Sequence, residues 1–138
     1  MIPYYSPNLS LNKVIKALFV RDARNKTIRN FQKLTNKKYI LLTSSCRSAL
    51  YLAYRSLGKG KSVLVSPLTC SAALDPIYYS NNIVCFSDIS EDNLNITIEN
   101  KDSIPEDIKI IQVIHFGGIP ADMDAILDFA KQRNIIII

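Results

Sequence analysis

The chain has 138 residues, 48% of them hydrophobic and 21% charged, with three cysteines, one histidine and no tryptophan. That is enough for one compact domain with a real core, too apolar for a disordered chain, and without the run of about 20 apolar residues that a membrane helix needs. The net charge of +5 hides a division: residues 1–61 hold 13 of the 17 Lys and Arg against one acid, Asp22, whereas residues 62–138 carry four against eleven.

In chain order, Leu11, Val14, Ile15, Leu18 and Phe19 repeat at helical spacing behind Ser10 and predict an amphipathic helix, with a shorter one around Ile28, Phe31 and Leu34. The basic residues of this stretch read as a solvated helix face, and no nucleic-acid-binding motif or aromatic platform accompanies them. From Tyr39 the rhythm changes to short apolar runs alternating with helical stretches. Tyr39–Thr43 reads as strand, Cys46–Leu57 as helix, Val63–Ser66 as strand, Ser71–Ser80 as helix and Ile83–Phe86 as strand. An irregular acidic stretch with a short helix near Ile98 follows. Then come a strand at Ile108–Ile114, a helix at Asp122–Arg133 and a strand at Ile135–Ile138. The fold class implied is α/β, a mostly parallel sheet with helices on both faces.

Four consecutive isoleucines read as a strand buried on both faces, since exposing them forfeits roughly 1.5 to 3 kcal/mol each. The expectation is that this sequence stops in mid-domain. Met1 leads into Ile-Pro-Tyr-Tyr-Ser and not into a basic and then apolar leader, so a cytoplasmic location with no membrane partner is expected. Cys46, Cys70 and Cys85 have the spacing of neither a disulfide framework nor a zinc site, and no metal is expected.

In parallel sheets ligands gather where strands end, which singles out three places. Thr43-Ser44-Ser45-Cys46-Arg47-Ser48 runs into a helix through hydroxyl residues; free amides, the helix dipole and Arg47 suit a phosphate, while a plain serine cap is the other reading. Ser66-Pro67-Leu68-Thr69-Cys70-Ser71 is a second such junction. His115-Phe116-Gly117-Gly118-Ile119-Pro120 puts the single histidine before a glycine-rich turn, where it is either structural or chemical. Gly58-Lys59-Gly60-Lys61-Ser62 lacks the spacer of a phosphate loop and precedes a strand, so it reads as a turn.

At these places the chain resembles the DegT/DnrJ/EryC1/StrS family of pyridoxal-phosphate (PLP) enzymes, chiefly nucleotide-sugar aminotransferases. The resemblance runs through Ser44–Ala53, Val65–Cys70, Phe86–Ile89, Asn93–Ile96 and His115–Asp124. It implies the incomplete large domain of a fold-type I (aspartate-aminotransferase-like) transferase, with residues 1–138 as its N-terminal portion and a small C-terminal domain absent. It further implies PLP as cofactor, a keto nucleotide sugar and an amino donor such as glutamate as substrates, and a homodimer when complete. By this resemblance Cys46, Arg47 and Ser48 sit at the PLP phosphate, Cys70 stands where the family commonly stacks an aromatic on the ring, and His115 lies near the ring hydroxyl. The family's Schiff-base lysine and ring-nitrogen aspartate have no match in this chain. No catalytic residue is therefore assigned, and the chain alone is expected to be inactive. The rival reading is a non-catalytic anion- or nucleotide-binding module that uses the basic N-terminal half, with nucleic acid the less favoured ligand.

Overall fold

A computed structural model describes residues 10–138, in which residues up to Leu42 and Thr43–Ile138 form two compact units. The first unit contains helices α1 (Leu11–Leu18) and α2 (Ala23–Thr35). Helix α1 starts where Ser10 turns extended and its carbonyl accepts the N–H groups of Lys13 and Val14 at 2.9 and 3.1 Å. Asp22 and Asn36 bracket α2 in the left-handed conformation, which Asp and Asn tolerate better than most residues. No residue of either helix is buried.

The second unit alternates helix and strand: α3 (Cys46–Leu57), β1 (Ser62–Val65), α4 (Ser71–Tyr79), β2 (Ile83–Phe86), β3 (Ile108–Ile111), α5 (Met123–Arg133) and β4 (Ile136–Ile137). The four strands form one parallel sheet in the order β2-β1-β3-β4. Their alternating side chains feed two cores. Val63, Val65 and Ile110 pack with Tyr54 of α3 and Ile77 of α4, while Leu64, Ile108 and Ile111 pack with Ile126, Phe129 and Ala130 of α5. Helices thus cover both faces, and the apolar runs of β1 and β3 are what a sheet buried on both sides requires. Full burial of Val63, Leu64 and Val65 contributes about 1.5 to 3 kcal/mol each.

Local chemistry sets the helix ends. Ser45 caps α3, its Oγ accepting the Ser48 N–H at 3.1 Å, and Asp122 caps α5 by accepting the Ala125 N–H at 3.1 Å. Asn134 closes α5 in the left-handed conformation and sends the chain into β4.

Four elements differ from the sequence reading, the last of them Ile135–Ile138, expected as a strand buried on both faces: β4 pairs only over Ile136–Ile137, at the edge of the sheet, and Ile136 is 43% exposed. Tyr39–Thr43 forms no strand: it has no ladder partner among the described residues, and Tyr39 and Leu41 are 82 and 69% exposed. Near Ile98 there is no helix; Ile96 and Ile98 alternate into the α5-side core, as an extended segment bridged Ile89 to Ile96 allows, and the one helical turn lies at Lys101–Ser103. The ladder of β3 ends at Ile111 and not at Ile114, although Gln112 and Val113 still donate to the carbonyls of Leu64 and Ile138 at 2.9 Å each.

Candidate functional site

Because every strand runs the same way, the segments that follow them share one edge of the sheet. Ser45 is extended (φ −158°, ψ 160°) and turns the chain into α3, while the Thr43 hydroxyl donates to the Ser45 carbonyl at 2.9 Å. The Ser48 amide is taken by the cap, and its hydroxyl sits 3.0 Å from Ser45 Oγ and 3.4 Å from Ser44 Oγ. The amides of Cys46 and Arg47 have no acceptor among the described residues. Two unclaimed N–H groups at the positive end of a 12-residue helix are the donors that an anion would need. Arg47 adds a cation there, held 3.9 Å from Asp75 of α4 and still 56% exposed.

A cleft of about 410 Å³ opens at this point, lined by Ser45, Cys46, Arg47, Leu50, Cys70, Ala72 and Ala73. Cys70 reaches it as the N-cap residue of α4, with its thiol exposed. Beside Cys70, the Thr69 hydroxyl is buried with no hydrogen-bond partner. A cleft of ligand size, two free amides and a cation together suit the phosphate and ring of PLP.

The structure therefore brings Cys46, Arg47 and Cys70 to one cleft. Ser48 opens instead, with Arg47, Tyr51 and Tyr79, on a neighbouring hollow of about 600 Å³. His115 lines neither; it is exposed, and its Nδ1 accepts the Ala121 N–H at 3.1 Å. That bond places the proton of the neutral ring on Nε2, which remains able to donate.

Sequence reasoning gave no role to Asn95, which is 1% exposed. Its Oδ1 accepts the Phe116 N–H at 2.8 Å and its Nδ2 donates to the Ile119 carbonyl at 3.1 Å, so one side chain holds both ends of the loop after His115. Within that loop Gly117 and Gly118 take φ of 61° and 84°, where the backbone and not the available space calls for glycine. The signal was present as an asparagine between Leu94 and Ile96. Its long-range partners were not.

Among the described residues, no group of three or more His, Cys, Asp or Glu is arranged to hold a metal ion. Nor is any helix there long and apolar enough to cross a membrane.

Comparison with known proteins gives a consistent answer. The model of the DegT/DnrJ/EryC1/StrS aminotransferase family matches residues 21–138. The chain is 38% identical to UDP-4-amino-4,6-dideoxy-N-acetyl-beta-L-altrosamine transaminase of Campylobacter jejuni over 73% of its own length and 28% of that protein's. It is 28% identical to GDP-perosamine synthase of Escherichia coli O157:H7, covering 99% of this chain and 41% of the relative. Among solved structures, E. coli GDP-4-keto-6-deoxy-D-mannose-3-dehydratase with bound hydrated PLP superposes with a TM-score of 0.81 at 24% identity, over 98% of this chain and 39% of that one. The chain spans between 25 and 41% of the length of the curated relatives it matches.

Proposed function

From the premise that the chain belongs to the DegT/DnrJ/EryC1/StrS aminotransferase family over residues 21–138, we propose that it is the N-terminal portion of a PLP-binding large domain. The complete enzyme would exchange the amino group of a donor such as glutamate with a keto nucleotide sugar, in the making of surface polysaccharide or an amino-sugar metabolite. It would work as a cytoplasmic homodimer. When bound, the cofactor supplies the electron sink for that exchange.

The observation that carries the reading is the pair of unclaimed amides, Cys46 and Arg47, at the head of a cleft of about 410 Å³. Those amides would bind the phosphate, with the Arg47 guanidinium adding charge while shared with Asp75. Ser48 would contribute no contact in this cleft, because its amide is committed to Ser45 and its side chain opens on the neighbouring hollow. Cys70 would lie against the ring with a thinner contact than an aromatic gives, whereas His115, which the family resemblance puts near the ring hydroxyl, lines no part of this cleft and is given no contact with the ring. The lysine and the aspartate that the family resemblance assigns to the cofactor have no match here, so transamination by these 138 residues alone is not expected.

Pyridoxamine 5′-phosphate is the suitable probe, since it lacks the aldehyde that labels surface lysines indiscriminately. Fluorescence titration should show saturable binding, weakened about tenfold by Arg47→Ala as a charge-assisted contact is lost. Equal binding of pyridoxamine without its phosphate would overturn the assignment, as would no binding at all. Product formation from PLP, glutamate and a keto sugar by this chain would overturn the claim of inactivity. The basic half of the sequence favours one rival, an anion- or nucleotide-binding module, which predicts that a plain nucleotide displaces the probe with no dependence on the ring.

A further inference from the structure

We infer that Asp75 sets the anion affinity of the cleft by competing with the ligand for Arg47, an inference that rests on reading the cleft as a phosphate site. Arg47 lines both the cleft of about 410 Å³ and the neighbouring hollow of about 600 Å³. On α4, Ala72 and Ala73 line the cleft, Pro76 and Tyr79 line the hollow, and Asp75 falls between them in the chain. Its carboxylate lies 3.9 Å from Arg47 Nε and has no other partner among the described residues. That separation is an ion pair without a hydrogen bond, so all five N–H donors of the guanidinium remain for an anion.

Two roles are open to a carboxylate in this place, and the geometry chooses between them. A residue that positions Arg47 must fix the plane of its guanidinium, which takes a directional or bidentate bond. A contact of 3.9 Å through one nitrogen supplies charge and no direction. What Asp75 does supply is a competing anion. A phosphate that engages Arg47 must share the cation with that carboxylate, and the two anions repel each other. With the side chains 56 and 36% exposed, such a pair is worth a factor of about 1.4 to 5 in an equilibrium. Asp75 therefore tunes the site and does not lock it.

The test compares the 138-residue chain with its Asp75→Asn, Arg47→Ala and doubly substituted variants. Asn keeps the volume of the side chain and removes the charge. Pyridoxamine 5′-phosphate should bind Asp75→Asn about threefold more tightly at low salt, with a smaller gain at high salt and unchanged far-UV circular dichroism. In the Arg47→Ala background the gain should vanish, because Asp75 acts through that cation. A second measurement needs no cofactor: labelling of Arg47 by phenylglyoxal, followed by mass spectrometry with Arg55 as internal reference, and its protection by inorganic phosphate. The phosphate concentration that halves labelling should fall about threefold in Asp75→Asn. If pyridoxamine 5′-phosphate fails to bind the parent while phosphate protects in this way, the cofactor reading fails and the role of Asp75 stands. Weaker binding by Asp75→Asn would make the residue a tether and overturn the inference. So would an equal gain without Arg47, or no protection by phosphate in either protein.

Discussion

The bond between Tyr54 and Gln112 offers the most decisive test of how the second unit is held together. Tyr54 of α3 is fully buried and its hydroxyl donates to Gln112 Oε1 at 2.6 Å, across the core shared with α4. Gln112 is itself 3% exposed, and its Nε2 has no partner. Tyr54→Phe keeps the ring and opens no cavity, but it leaves Oε1 buried without a donor, at a cost of about 1 to 3 kcal/mol. Gln112→Leu strands the phenol at a similar cost while removing the orphaned amide. The double variant leaves neither residue of the pair with an unpaired polar side-chain atom, so it should be about as stable as the parent or more so, and the pair should show a coupling energy of about 1 to 3 kcal/mol. Against a total of about 5 to 15 kcal/mol this is easily read from urea midpoints at constant slope. The chain has no tryptophan, so circular dichroism is the probe. Burial also raises the Tyr54 pKa well above the ordinary phenol value of about 10. Between that value and its own higher one the folded state holds a proton that the unfolded state has lost. Stability therefore falls above about pH 10, by up to about 1.4 kcal/mol per pH unit, and Tyr54→Phe should flatten the fall. Strict additivity of the two single variants would refute the reasoning, as would a Tyr54→Phe cost below about 0.3 kcal/mol.

Three further outcomes follow from single side chains. Asn95→Ala removes the acceptor of the Phe116 N–H and the donor to the Ile119 carbonyl; it should cost about 1 to 3 kcal/mol, and native-state hydrogen exchange at Phe116 should speed up before exchange in β1 does. Ser45→Ala deletes the α3 cap and should cost about 1 kcal/mol, whereas Ser45→Gly costs only a few tenths, a difference read from thermal midpoints and absent if the cap carries no stability. Burial, and then the Asp107 carboxylate, hold the Cys85 thiol above its ordinary pKa in spite of a hydrogen bond with Ser62. With Cys46 and Cys70 exposed, iodoacetamide at pH 8 should reach Cys85 last, and the lag should shrink as pH rises; equal rates at pH 8, followed by mass spectrometry, would contradict this.

Much of the architecture could be read locally because burial on both sheet faces leaves a local mark: Val63–Val65 and Ile108–Ile111 are strands with almost no polar residue, and Cys46–Leu57 repeats at helical spacing behind a serine cap. Tyr39–Thr43 has the same composition and is not a strand, because a strand is a pairing event and composition does not supply the neighbour. The candidate site divides along the same line. The helix start at Ser45 was legible, but which of its amides stays free depends on where one hydroxyl points, and that commits Ser48 while leaving Cys46 and Arg47 unclaimed. The meeting of Cys46 with Cys70 follows from topology, since two helices that start from the same edge of a parallel sheet place their first residues side by side. What no local pattern encodes is the choice of distant polar partners: Tyr54 with Gln112, 58 residues apart, and Asn95 with a loop more than 20 residues on. In each case a polar residue in an apolar run is the visible half. Because burying it unpaired costs more than any propensity gains, such a residue in a core segment can be taken as evidence for a partner whose position only the fold supplies.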